Sequence, residues 1–571
     1  DRTAADVLLR MEMGRLYHLI EDYAKAADSF DRVLAALEKP KQFGIDEQLE
    51  TILLGEAGPT YNLMGECFVK AARYDRATAA FRMAHKADPN PGRLNFHLAQ
   101  VAAARGQPKL ALEKLQRCFD EKLDSEDTAP YELLADVLAE LGRQDELIER
   151  LEALQSDDPG NVPLGYALAE AYRSAGKLEK AELLCLVLLK KEATTAGYRG
   201  LAEIYRRTDR PERLLEILGE AVAITGVLDT FGSEAETIAG DEKLVESLLE
   251  AVRRLAGKKP ADLTFGMRHA AALVALEAER FDAAAEMFEL ALAARPEQAA
   301  ELLIDWGVGL LLADRTAEAA DVFQRGTDER VLADDNPMLY YYLAGALALD
   351  GRTDAALAAA RKAAEARPDS VQYVSRVAWV LYLGERHDAA RRAYEELIEQ
   401  FDDEYGSETV RDVLREARLV LSNLCVIQGD LEAAEAWLEQ VLDEFPDDPG
   451  AANDLGYLWA DQNRHLNRAL RMVKRAVAAE PDNIAYRDSL GWVYYRLGRH
   501  DKAVAELQKA VDLAGDEADG VILDHLGDAY QDAGQTGKAR DAWQRAVKAF
   551  RDHDENEKAE EVEEKLRKKV D

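Results

Sequence analysis

Few residues in this chain have the chemistry of a reaction centre, and those few are scattered. The nine histidines follow no common spacing, and the recurring pair His387 and His500 occupies two turns far apart in the sequence, too separated to share a metal ion. Cys67, Cys118, Cys185 and Cys425 lack the close spacing of a disulfide framework or zinc site, and they fall on apolar periodic positions, so they read as buried free thiols. The acidic runs Asp402-Asp403-Glu404 and Asp552-His553-Asp554-Glu555 lack the Asp/Asn spacing and central glycine of a calcium loop. They read as solvated charge. No phosphate loop, nucleophile elbow, dinucleotide fingerprint, HExxH or paired CxxC is present. The expectation is a chain with no catalytic residues, no cofactor and no metal site, which is not an enzyme.

Bulk composition narrows the class further. With 72 basic against 109 acidic side chains the net charge is −37, which repels nucleic acid and anionic membrane surfaces. A hydrophobic content of 48% excludes wholesale disorder, while 16 prolines and 7% aromatics beside abundant Ala, Leu, Glu and Arg favour helix over sheet. No stretch approaches the roughly 18 uninterrupted apolar residues of a spanning helix, so no direct membrane insertion is expected.

The elements that must position any functional side chain are visible in the stretch Ile484 to Leu513. Apolar residues recur at helical spacing (Leu490, Val493, Tyr494, Leu497, then Ala503, Leu507, Ala510, Val511) and break at Gly498, which predicts two short helices joined by a tight turn. Helices this short must be covered by neighbours, so the pattern must repeat. With Gly491 as position 8 of a frame of about 34 residues, the same position elsewhere is Gly14, Gly65, Ala99, Ala135, Ala169, Ala202, Ala272, Gly307, Ala344, Ala378, Ser422, Gly456 and Gly527. Every one is small. Position 20 is alanine throughout (Ala26, Ala77, Ala111, Ala181, Ala284, Ala319, Ala356, Ala390, Ala434, Ala503, Ala539, and Ala469 after one extra residue), with Leu147 and Leu214 as exceptions. Small residues at both positions let two helices approach closely. Bulky residues at position 24 (Phe30, Phe81, Phe288, Phe323, Tyr394, Trp543) are expected to fill the space between successive hairpins, and prolines at position 32 (Pro89, Pro159, Pro296, Pro368, Pro446, Pro481) to end each second helix.

Three departures interrupt the frame: Lys41 to Pro59, Asp229 to Pro260, and the acidic Phe401 to Val413. The second carries Glu236 where a small residue belongs, so it reads as a degenerate repeat, helical from Glu242 to Leu255, and as a joint. The expected organisation is an amino-terminal array over 1–228, the joint over 229–264, a carboxy-terminal array over 265–547, and a capping helix over 548–571. The cap places Ala559, Val562, Leu566 and Val570 on one face of a charged helix.

Small residues at 8, Ala at 20, an aromatic at 24 and Pro at 32 make the chain resemble a tetratricopeptide repeat protein over nearly its whole length. The resemblance implies an all-α fold, a right-handed superhelical α-solenoid of about 14–15 hairpins with an inner groove that binds peptide or protein segments. It also implies that positions 2, 5, 9, 12 and 13 of each first helix line that groove. From residue 337 to 496 those positions include Tyr341, Trp379, Tyr382, Leu419, Asn423, Asn453, Tyr457, Trp492 and Tyr495. Aromatics with polar tips and interspersed amides suit an extended peptide, although several of these rings serve equally well as packing between first helices. A second candidate is the basic patch Arg173, Arg199, Arg206 and Arg207, suited to an acidic tail or carboxylate, or else to neutralising Glu170 and Glu203. No repeat has the Lys at 5 and Asn at 9 of the family's chaperone-binding clamp. The function expected is a noncatalytic scaffold or adaptor for a protein partner; the alternative is a regulatory or structural subunit of a larger enzyme or cell-envelope complex. The closing repeats, NDLGYLWADQN and RDSLGWVYYRLGR, resemble those of bacterial cell-envelope members, which implies a bacterial origin and a periplasmic or envelope location.

Overall fold

The computed structural model describes residues 4–123, 127–328, 336–404 and 406–568. Among these residues there are helices and turns but no strand. The chain divides into two compact units, Asp1–Pro296 and Glu297–Asp571. Each is an α-solenoid in which the described residues form seven antiparallel hairpins, and every frame read from the sequence is occupied by one of them. All four cysteines are buried and free, as expected.

Local chemistry explains where the helices start, turn and stop. Asn90, Asn161, Asp448 and Asn483 precede first helices, and their side chains accept the backbone N–H three residues on at 2.9, 2.9, 2.7 and 3.2 Å. The second helices that end at Ala87, Asp157, Ala294, Ala366, Glu444 and Ala479 are each followed two residues later by the position-32 proline.

Between the helices, position 15 of all fourteen frames is left-handed, with φ from 51° at Asp209 to 77° at Gly429. Glycine takes that conformation freely at seven of them, whereas Glu21, Ala72, Asp209, Glu279, Asp314, Glu385 and Asn463 hold it against the crowding of their own Cβ. Ala72→Gly is therefore expected to stabilise the first unit by about 0.5–1 kcal/mol, the relief of left-handed strain less the extra freedom glycine gains on unfolding. A urea unfolding midpoint that fails to rise would contradict this account of the turn.

Position 8 has a more specific role than the sequence indicated. A Cβ added at Gly14, Gly65, Gly307 or Gly527 would overlap the ring of Phe30, Phe81, Phe323 or Trp543, the position-24 residue of the same hairpin. The bulky residues at 24 thus seat first in a notch of their own hairpin, which corrects the expectation that they fill only the gaps between hairpins. Gly456 and Gly491 receive Val473 and Leu507 in the same way. At Ser422 the small residue bonds as well, its hydroxyl donating to the Ala434 carbonyl at position 20 (3.0 Å).

At one of the two frames without alanine at position 20, the hairpin changes. Leu147 begins a second helix delayed by a 3-10 turn, Gln144–Glu146, and the helices Ala129–Glu140 and Leu147–Asp157 meet little beyond their connection. Cavities of about 600 and 520 Å³ border this open hairpin.

The irregular segments also fold. Residues after Glu38 form two short helices, Pro40–Phe43 and Glu47–Leu54, and the acidic interruption lengthens a first helix to Glu408–Ile427. Residues 229–264, read from sequence as a joint, lie inside the first unit and contain Ser233–Ala239 and Glu242–Lys258. They leave the helices on either side of them, Pro211–Thr225 and Phe265–Glu277, packed directly together with Gly219 against Gly266. At the carboxy end Asn556–Lys568 buries Ala559 and Val562 with Leu566 half-buried, while Lys565 bonds Asp524 and Asp528 at 2.7 and 2.9 Å. Val570 lies outside the described residues.

Candidate functional site

In the second unit the first helices Glu408–Ile427, Pro449–Asp461 and Ile484–Arg496 each place one or more residues on a cavity of about 460 Å³. Three of the residues singled out in the sequence line it: Asn423, Asn453 and Tyr457. Asn423 is exposed and Tyr457 half-buried, so amide and ring face solvent across the opening. Tyr382 joins at the rim, its hydroxyl donating to Asn423 Oδ1 at 3.5 Å. Burial pushes the Tyr457 phenol above its ordinary range, so it stays a neutral donor at any physiological pH.

The other aromatics make contacts within the chain. Tyr341 and Trp379 hold the Arg376 guanidinium, whose centre lies 3.7 Å from one ring centroid and 4.7 Å from the other. Burial lowers the Arg376 pKa, and the Tyr341 phenol opposes the shift. Trp492 is buried, stacked on His525 at 4.1 Å and Tyr495 at 5.0 Å, and Leu419 and Tyr495 are half-buried against the hydrophobic core. These five do not line the cavity.

Sequence reasoning missed the charge of the site. Asp454, Asp461, Asp488 and Asp519 line the same cavity, and none of its lining residues is Lys, Arg or His. Asp488 and Asp461 stand at positions 5 and 13, which the repeat frame already marks as groove-facing. A search of those positions for carboxylates as well as aromatics and amides would have found both. Asp454 is an exposed residue, yet partial desolvation at the cavity wall pushes its carboxyl upward, and the Asn453 amide only partly opposes this. Asp488 is paired with the buried His525, Oδ1 to Nδ1 2.9 Å, so its charge is already matched.

In the first unit three of the four patch arginines are tied to carboxylates. Arg173 pairs with Glu170 and, at 2.9 Å, Glu203; Arg206 forks onto Glu234 at 2.6 and 3.1 Å; Arg207 meets Glu203 at 3.0 Å. Arg199 stays exposed, and with Arg173 it lines the 520 Å³ cavity beside the open hairpin. Among the described residues no group of three His, Cys, Asp or Glu is placed to hold a metal ion, and no helix is long and apolar enough to cross a membrane.

Comparison with known proteins adds the following. Tetratricopeptide repeat family models match residues 9–43, 63–118, 305–371, 350–408, 378–449, 425–492 and 486–517, together more than half of the chain. A TPR repeat-containing protein of Pseudomonas aeruginosa is 29% identical over 179 residues, a match covering 31% of this chain and 28% of that relative. The match therefore spans less than a third of the relative's length. Among solved structures, a chain of the APC/C hetero-tetramer Cut9–Hcn1 aligns over 89% of this chain and 98% of its own at 15% identity and a TM-score of 0.35. A tetratricopeptide repeat protein from Parabacteroides merdae aligns over 46% and 98% at 13% identity and a TM-score of 0.37. Scores this low bear on neither function nor arrangement.

Proposed function

Because the chain belongs to the tetratricopeptide repeat family, we propose that it is a noncatalytic interaction scaffold whose second unit holds an extended segment of a partner protein. The observation that carries this reading is the convergence of Asn423, Asn453 and Tyr457 from two successive hairpins on one open cavity. The exposed Asn423 carboxamide can bond a peptide backbone while the Tyr457 ring covers an apolar side chain. Repetition spreads side chains along a surface instead of converging them on one reacting atom, and so suits binding better than catalysis.

Site-directed photo-crosslinking tests the proposal. A photoreactive residue at Asn423 is expected to capture a partner protein, and Tyr457→Ala is expected to remove most of that adduct. The same probe at Glu439, exposed on the following second helix, is the control. Adducts formed only from Glu439, or adducts from Asn423 indifferent to Tyr457→Ala, would overturn the assignment of the groove.

A further inference from the structure

The lining of the second-unit cavity is asymmetric: four aspartates and no cationic side chain. Two of the four are already engaged. Asp488 holds His525, and Asp519 caps the helix Gly520–Asp532 by accepting the Val521 N–H at 2.6 Å. The other two are underused. Asp461 has only Arg496, at 3.9 Å, and Asp454 accepts only the Asn453 amide, at 3.1 Å. Asn453, Asp454, Tyr457 and Asp461 recur at helical spacing on Pro449–Asp461, so they form one stripe along the cavity wall.

A second observation is independent of this charge. Asn453 is 5% exposed, yet its side-chain oxygen has no hydrogen-bond donor. Its orientation is set by the donation from Nδ2 to Asp454, since the flipped amide would point oxygen at a carboxylate. A buried carbonyl without a donor is costly, and the residue that carries it lines the cavity, where a turn of its amide would bring the covered oxygen to a ligand. The missing group is an N–H. Beside two exposed carboxylates, one with the Asn453 amide as its hydrogen-bond partner and the other with a single arginine at 3.9 Å, the N–H donors that fit best are those of an ammonium or guanidinium.

We propose that this cavity selects a lysine or arginine side chain of the bound segment, with Asn453 Oδ1, Asp454 and Asp461 receiving its N–H donors. The proposal rests on the groove assignment above and adds the chemistry of the partner: a basic segment. The aliphatic stem of such a side chain is matched by Leu458 and, from the helix Gly520–Asp532, Val521 and Ile522 in the same lining.

The test uses the full chain and three capped, otherwise Ala/Gly peptides that carry lysine, norleucine or glutamate at the central position, with binding followed by NMR shifts of the peptide. The lysine peptide is expected to bind, to weaken with added salt, and to lose about tenfold in affinity on Asp454→Asn, the scale of a charge-assisted hydrogen bond. Asp454→Asn is nearly isosteric, and its circular dichroism and urea midpoint check the fold. Equal binding of lysine and norleucine peptides, preference for glutamate, or lysine binding indifferent to Asp454→Asn in a folded chain would each overturn the cation proposal. Photo-crosslinking from Asn423 that persists through such a result leaves the groove assignment standing, so the two failures are distinguishable.

Discussion

Gly266→Ala is expected to cost the first unit about 3 kcal/mol, at the upper end for overpacking, because nothing at the contact can yield. A Cβ at 266 would lie inside the contact distance of the Gly219 carbonyl oxygen, 2.9 Å from its carbon and 3.0 Å from the Ala223 methyl. From the other side, a Cβ at Gly219 would meet the Met267 backbone nitrogen at 2.6 Å. Both obstacles are main chain inside helices, so the only relief is to move Pro211–Thr225 and Phe265–Glu277 apart. That separation would strip contacts from Leu215, Leu218, Val222 and Met267, all fully or nearly fully buried. Because repeat arrays unfold in parts, the readout must be local: hydrogen exchange in these two helices should accelerate, together with a lowered urea midpoint. Unchanged exchange there would mean that the glycines are not in close contact.

His525→Ala is expected to destabilise the second unit by about 3 kcal/mol at pH 6, since it leaves the Asp488 carboxylate without its counter-charge. Both side chains are almost wholly covered, 8% and 11% exposed. Burial alone would lower the imidazole pKa, but the carboxylates of Asp488, Asp524 and Asp528 more than offset it, so the net direction is upward. Lys565 faces the same Asp524 and Asp528, Trp492 stacks on the ring, and Tyr457 lies 6.3 Å away. For a group whose folded pKa exceeds its unfolded value, the stabilisation is fully present below the unfolded pKa, about 6.5, and disappears as pH climbs through the folded one. Unfolding midpoints of the intact chain should therefore fall as the pH is raised from 6 into the alkaline range, and His525→Ala should flatten that slope. An equal slope in the variant would place the pH dependence elsewhere.

The repeat was legible because each of its rules is local. A small residue at Gly491, alanine at Ala503 and a proline at Pro481 act within one hairpin or at its end, so their spacing alone predicts helix, close crossing and stop. The exceptions carried information too. Leu147 in place of alanine marks the hairpin that opens, and a single extra residue near Asn463 appears as a second left-handed residue, His465. The left-handed requirement at position 15 was harder to read, because only half of those positions are glycine.

By itself the sequence determined a chain of stacked helical hairpins, because helix periodicity, turn conformation and the contact at positions 8 and 20 are settled between residues one repeat apart or less. Only the tertiary structure decided which groove-facing residues share a cavity, since that depends on how far each hairpin is offset from its neighbours. It set Tyr341 and Trp379 around Arg376, brought Gly219 onto Gly266 across a bypassed segment, and gathered Asp454, Asp461 and Asp488 beside Asn453. The physical reason is that a side chain's periodicity names the face it occupies, whereas its partners are chosen by packing between elements that no single repeat encodes.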